Sequence, residues 1–104
     1  MIVTPAVTFV AHRRPAARLR PATASAKGKA MRVTALETVR LDEFPNLIWV
    51  LVHTDEGLTG LGETFFGARA VEAYIHESAA PYLLGKDPLR IDRHSRDMVG
   101  YVGF

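Results

Sequence analysis

From Arg32 to Arg40 the chain is rich in β-formers, and Val33, Thr34, Thr38 and Val39 mark a first strand. Leu41-Asp42-Glu43-Phe44-Pro45-Asn46 breaks that run with turn-forming residues, and Pro45 has no N–H to give to a ladder. Leu47 to His53 is apolar at nearly every position, the pattern of a strand covered on both faces. Asp55-Glu56-Gly57 predicts a hairpin turn with Gly57 free to take a positive φ, and Leu58 to Glu63 returns as a third strand. Gly60 and Gly62 stand two apart and so face one side; something is expected to pack close to that bare surface.

After Gly67 the period changes. Ala70, Val71, Tyr74, Ile75, Ser78 and Ala79 share one helical face, with Glu72, His76 and Glu77 on another. Pro81 ends or restarts that helix, and Gly85 suits a left-handed stop. Asp87-Pro88 predicts a cap followed by proline at the first helical position. The second helix then runs to about Val99, burying Ile91, Met98 and Val99, with Asp92/Arg96 and Arg93/Asp97 paired on an outer face. Three strands joined by tight links make an antiparallel meander, and the helices cover one side of it. The fold class is therefore α+β, over residues 31–104.

Charge separates this part from what precedes it. Residues 1–30 carry six basic residues and no acid, whereas residues 31–104 carry seven basic residues against eleven acids. The leader, with Pro5, Pro15 and Pro21 and no apolar periodicity after Val10, is expected to be disordered. Its arginines follow its apolar run, the reverse of a secretory signal. Arginines without acids fit an organelle transit peptide, but a single serine is few. A basic arm for nucleic acid would have interleaved aromatics, which are missing, so nucleic acid is not the expected partner. A start codon placed ahead of the true one, or a tail without function, fits best, because strand-forming residues begin straight after Met31. No apolar run approaches the roughly 20 residues of a membrane helix, and the cytoplasm is the expected compartment.

The residues themselves offer no catalytic constellation. Cysteine is absent, which excludes disulfides, zinc–thiolate sites and thiol chemistry. His76-Glu77 lacks a second histidine four residues on, and Gly60-Leu61-Gly62 lacks the third glycine of a dinucleotide fingerprint. His53-Thr54-Asp55-Glu56 reads as a polar hairpin end, and Trp49 as core. Glu63 ends the third strand beside Thr64-Phe65-Phe66-Gly67-Ala68. With no lysine or histidine nearby in the sequence to tune it, it is expected to be a structural acid that accepts hydrogen bonds or pairs with an arginine. Phe65 and Phe66 cannot both bury in so short a loop, so one is expected to face a ligand or another domain.

Thr54-Asp55-Glu56-Gly57-Leu58-Thr59-Gly60-Leu61-Gly62-Glu63, then a loop and helix, then Pro81-Tyr82-Leu83-Leu84-Gly85-Lys86-Asp87-Pro88, closely resembles the N-terminal capping domain of the mandelate racemase/muconate lactonizing enzyme group of the enolase superfamily. The resemblance covers about residues 31–104, with Leu61 where the family commonly has tryptophan. It implies a three-stranded meander with helices. It also implies a separate (β/α)-barrel where Mg²⁺, held by carboxylates, stabilises the enediolate formed when a lysine or histidine removes a proton α to a carboxylate.

A barrel takes about 200 residues or more, so no catalytic or metal residue is assigned to this chain. The expectation is a capping fragment of a lyase or isomerase, inactive alone and binding no cofactor itself. Its partners would be the barrel and a small carboxylate substrate, with acid-sugar dehydration or racemisation the nearest analogy. The resemblance places two substrate-lid loops on this chain: Asp42, Glu43, Phe44 and Asn46 in the first, Phe65 and Phe66 in the second. The alternative is a free-standing α+β interaction module using the meander as a docking surface.

Overall fold

The structure, a computed structural model, describes residues 11–15 and 30–100. Four antiparallel strands lie in sequence order: β1 (Ala11–Pro15), β2 (Val33–Leu41), β3 (Leu47–Thr54) and β4 (Thr59–Phe65). Then come α1 (Ala68–Tyr74), a π turn (Ile75–Ala79), α2 (Ala80–Leu83) and α3 (Ile91–Gly100). The α+β class and the β2–β3–β4 meander are as the sequence predicts. Gly57 turns the β3–β4 hairpin at φ 78° and Gly85 stops α2 at φ 82°. The Gly85 turn is tied back to the sheet: Gly85 N–H donates to Val33 C=O at 2.8 Å, and Val33 N–H to Lys86 C=O at 2.9 Å.

The fourth strand falls inside the leader expected to be disordered. β1 pairs with β2 from Ala11↔Leu41 to Pro15↔Glu37. It has no apolar periodicity because it is an edge strand whose side chains from His12 to Pro15 stay exposed; ladder bonds and charges hold it rather than burial. Pro15 is tolerated at such an edge. The rest of the leader, residues 1–10 and 16–29, lies outside the described residues.

One face of the sheet meets the helices. Val33, Leu36, Ile75 and Ala80 form the buried centre, with Val50, Val52, Val71, Leu83 and Leu84 packed around it. A register shift between Val33 and Ala35 re-phases β2, so that Val33 and Leu36 both reach this core. β3 is not covered on both faces as expected: only Ile48 is fully buried. Trp49, Leu51 and His53 alternate onto the open side and Trp49 is half-buried rather than core. The bare face of β4 also stays open, since a Cβ on Gly62 would meet nothing within 4 Å. The helical layer lies over β2 and β3 and leaves β4 an uncovered edge. Met31, Val52, Leu58, Gly60, Pro88 and Leu89 line an open, largely apolar groove of about 360 Å³ there.

The helices depart from their expected faces. The buried positions are Ala68, Ile75, Ala79 and Ala80, while Tyr74 is exposed and Glu72 and His76 turn toward the sheet. Pro81 restarts the helix. The preceding π turn, with Ala80 N–H bonded to Ile75 C=O, widens the backbone where the proline ring would strike the carbonyl four residues back. Asp87 caps a turn rather than a helix: its Oδ1 accepts Leu89 N–H at 2.9 Å, and α3 starts three residues later than predicted. Ile91 and Val99 are exposed instead of buried, and His94 of α3 is buried. His94 Nε2–H donates to Asp87 C=O at 2.6 Å, and its Nδ1 lies 3.0 Å from the Tyr82 hydroxyl. The expected Arg93–Asp97 pair forms at 3.5 Å.

Candidate functional site

The antiparallel order brings the end of β2, the start of β3 and the end of β4 to one end of the sheet, and with them both loops named from the sequence. The first loop closes on itself: Phe44 N–H donates to Leu41 C=O at 3.1 Å and Leu47 N–H to Phe44 C=O at 2.9 Å. Asp42, Glu43, Phe44, Pro45 and Asn46 are all exposed. The second loop turns through two left-handed residues, Phe66 (φ 83°) and Gly67 (φ 68°). Gly67 takes that conformation freely. Phe66 does not: a bulky side chain held there costs about 1–3 kcal/mol and persists only where its surroundings enforce it. Phe66 N–H donates to Asn46 C=O at 2.8 Å, so the strained residue is also the backbone link between the two loops. No sequence signal announced that link, because it joins residues from separate turns.

Phe65 and Phe66 are both exposed, at 70% and 74%, with ring centroids 6.3 Å apart. Neither contributes to the core, so the pair forms an apolar surface on the loop that the Phe66–Asn46 backbone bond joins to the first. Beneath the loops Phe44 meets Trp49 edge-on at 6.4 Å. The Trp49 indole N–H donates to Glu63 Oε2 at 2.8 Å across the β3–β4 ladder. Glu63 is thus engaged at the root of the second loop. Replacing it with glutamine, which keeps an acceptor for the indole, is expected to leave Trp49 fluorescence nearly unchanged. Glu63→Leu should shift the emission and cost about 1 kcal/mol in urea unfolding.

The groups with displaced proton affinities lie elsewhere. Thr38, fully buried, donates to Glu72 Oε2 at 3.1 Å and stands 2.8 Å from His76 Nε2; Arg40 Nε donates to the same Glu72 oxygen at 3.1 Å. Burial pushes the Glu72 carboxyl up, but the bonds from Arg40 and Thr38 and the charges of Arg40 and Arg14 outweigh it and hold Glu72 below its ordinary range. Burial, aided by Arg14, lowers His76 against the opposing pull of Glu72. On the open face Glu37 accepts from Arg13 and, at 3.1 Å, from His53 Nε2. Its carboxyl is lowered chiefly by the bond from Arg13 and also by the His53 bond, against the opposing effect of burial. These clusters join helix to sheet and strand to strand, and they do not converge on the loops. The Mg²⁺ implied by the resemblance does not fit here, because among the described residues no three histidine, aspartate or glutamate side chains come together as a metal site. No helix is long and apolar enough to cross a membrane, among the same residues.

A four-stranded antiparallel sheet, helices on one face and two linked loops at one end define an α+β domain of the enolase N-terminal type. The chain belongs to the mandelate racemase/muconate lactonizing enzyme N-terminal domain family, whose sequence profile matches residues 15–102. A crystal structure of an enolase of the mandelate racemase subgroup from Agrobacterium tumefaciens is 64% identical, with a TM-score of 0.66 over 70% of this chain and 20% of that one. An enolase protein from a Sargasso Sea environmental genome is 55% identical, with a TM-score of 0.67 over 71% of this chain and 20% of that one. D-galactonate dehydratases from Ralstonia pickettii and Verminephrobacter eiseniae are 47% and 45% identical over 64 residues, 60% of this chain and 16% of each relative. The chain therefore spans less than a quarter of the length of the proteins it matches.

Proposed function

We propose that this chain is the substrate-capping part of a cytoplasmic enolase-superfamily enzyme that removes a proton α to a carboxylate, most closely an acid-sugar dehydratase. The observation that carries the reading is the pair of linked loops at one end of the sheet. They present Glu43, Asn46, Phe65 and Phe66 to solvent as one surface, half polar and half apolar. Such a surface suits a polyhydroxylated acid: hydroxyls meet the polar half while the phenylalanines exclude water. In this reading the proton-removing base and Mg²⁺ belong to a barrel domain beyond the region described, and the capping part is inactive alone. The lids bind, orient and close. The 47% identity to a D-galactonate dehydratase favours dehydration over racemisation. The exposed Leu58 and Leu89, in the groove beside Gly60, supply apolar surface for the barrel.

A hybrid tests this. Residues 31–100 replace the matching segment of the Ralstonia pickettii relative, and D-galactonate dehydration is measured. The expected result is activity within about 100-fold of the parent, with Phe65→Ala in the hybrid raising KM about tenfold and changing kcat less. A folded hybrid without turnover, or a KM indifferent to Phe65, rejects the reading. Rejection would leave the same apolar surface to the alternative, a free-standing interaction module.

A further inference from the structure

β1 spans Ala11–Pro15, and the family match begins at its last residue, so most of the strand lies outside the matched region. Its register sets Ala11 opposite Leu41, where β2 runs into the first lid loop. The next residue, His12, donates from Nε2–H to Asp42 Oδ1 at 2.7 Å. One residue further, Arg13 binds Glu37, which His53 of β3 also binds, so β1 is fastened to the middle of the sheet as well as to the loop. Without β1 the Glu37–Leu41 part of β2 would present unpaired backbone groups at an edge.

We propose that β1 is a brace for the first lid loop, which caps the β2 edge and engages Asp42. Asp42 is then a positioning residue, and Glu43 and Asn46 are the polar groups left to face substrate. The brace also reaches the second loop, because Asn46 C=O holds Phe66 N–H at 2.8 Å. The ion pair alone is weak: His12 and Asp42 side chains are 45% and 59% exposed, which limits their contribution to a few-fold in any local equilibrium. The five-residue ladder does most of the holding, and the pair sets where the loop begins.

The assignment rests on the lid reading for its functional meaning, but its test needs only the chain. Amide hydrogen exchange is measured on the full 104-residue protein, comparing Phe44 and Phe66 with Val50 and Val52 in central β3 as internal references. Arg13→Glu sets a carboxylate against Glu37 and drives β1 off. Exchange at Phe44 is expected to rise about tenfold and at Phe66 by less, with the reference amides changing by less than about twofold. Asp42→Ala should raise Phe44 exchange about twofold to fivefold, and Asp42→Asn, which still accepts from His12, should restore protection. Phe44 protection that is unchanged in both Arg13→Glu and Asp42→Ala, or that falls only as far as that of Val50 and Val52, overturns the brace. The lid reading fails separately, on the KM of the hybrid.

Discussion

Replacing Leu36 with alanine is expected to remove about 2–5 kcal/mol of folding stability, whereas Leu61→Ala should stay within about 0.5 kcal/mol of the parent. Both residues lie on strands of one sheet and are chemically identical. Leu36 is 2% exposed and sits among Val33, Ile75 and Ala80, so truncation leaves a cavity the helices cannot close without moving. Leu61 is 70% exposed on the open face of β4 and loses little. A domain of about 74 residues carries a total stability of only about 4–11 kcal/mol, so Leu36→Ala takes a large share of it. Urea unfolding followed by Trp49 fluorescence reads both variants. A Leu61→Ala cost equal to that of Leu36→Ala would mean that the open face is covered in solution, and that the core is misplaced.

This contrast marks where the chain's sequence was legible. The β3–β4 hairpin declared itself through Gly57 because positive φ is a local demand on one residue, and the run after Leu47 declared a strand because it is continuous. The open face was not legible. An apolar run looks the same whether both faces or one is covered, and what covers a face is a tertiary fact. β1 was hidden for the opposite reason: a short strand of His and Arg has no apolar signal, and its partners Glu37 and Asp42 lie 24 and 30 residues away. Glu72 and His76 were placed on a helical face apart from the apolar one by polarity alone. They point inward because Thr38 and Arg40, from the second strand, supply the hydrogen bonds that make inward burial tolerable. At the loops, the exposure of Phe65 and Phe66 followed from their crowding, but the link from Phe66 to Asn46 needed the fold.

The inward-facing cluster leads to the second large effect. Arg40→Met should cost about 2–4 kcal/mol at pH 7, the lower part of the range for breaking a buried pair, because the two side chains are 19% and 12% exposed. The cost should depend on pH in a defined direction. In the parent, Glu72 is held below its ordinary value of 4.5, so the folded chain ionises it more readily than the unfolded chain does. The stability this provides is complete above about pH 4.5 and is lost as pH falls through the lower folded value. His76, held below its ordinary value of 6.5 by burial first, adds a loss that begins as pH falls below 6.5, since the folded chain resists charging it. The parent should therefore weaken in two stages on acidification, and His76→Gln should remove the upper one. In Arg40→Met the largest of the contributions that together outweigh burial is gone, with Thr38 and Arg14 left, so Glu72 moves upward from its position in the parent. The gap between parent and variant should stay constant near neutrality and shrink as both carboxyls become protonated, leaving only lost packing of the arginine stem. Adding Glu72→Met to Arg40→Met removes the stranded charge and should recover most of the loss at pH 7. Urea midpoints at pH 7, 5.5, 4 and 3 separate these contributions. A gap that holds its size to pH 3 would show that Arg40 acts through packing alone and that the Glu72 charge contributes nothing to holding helix and sheet together.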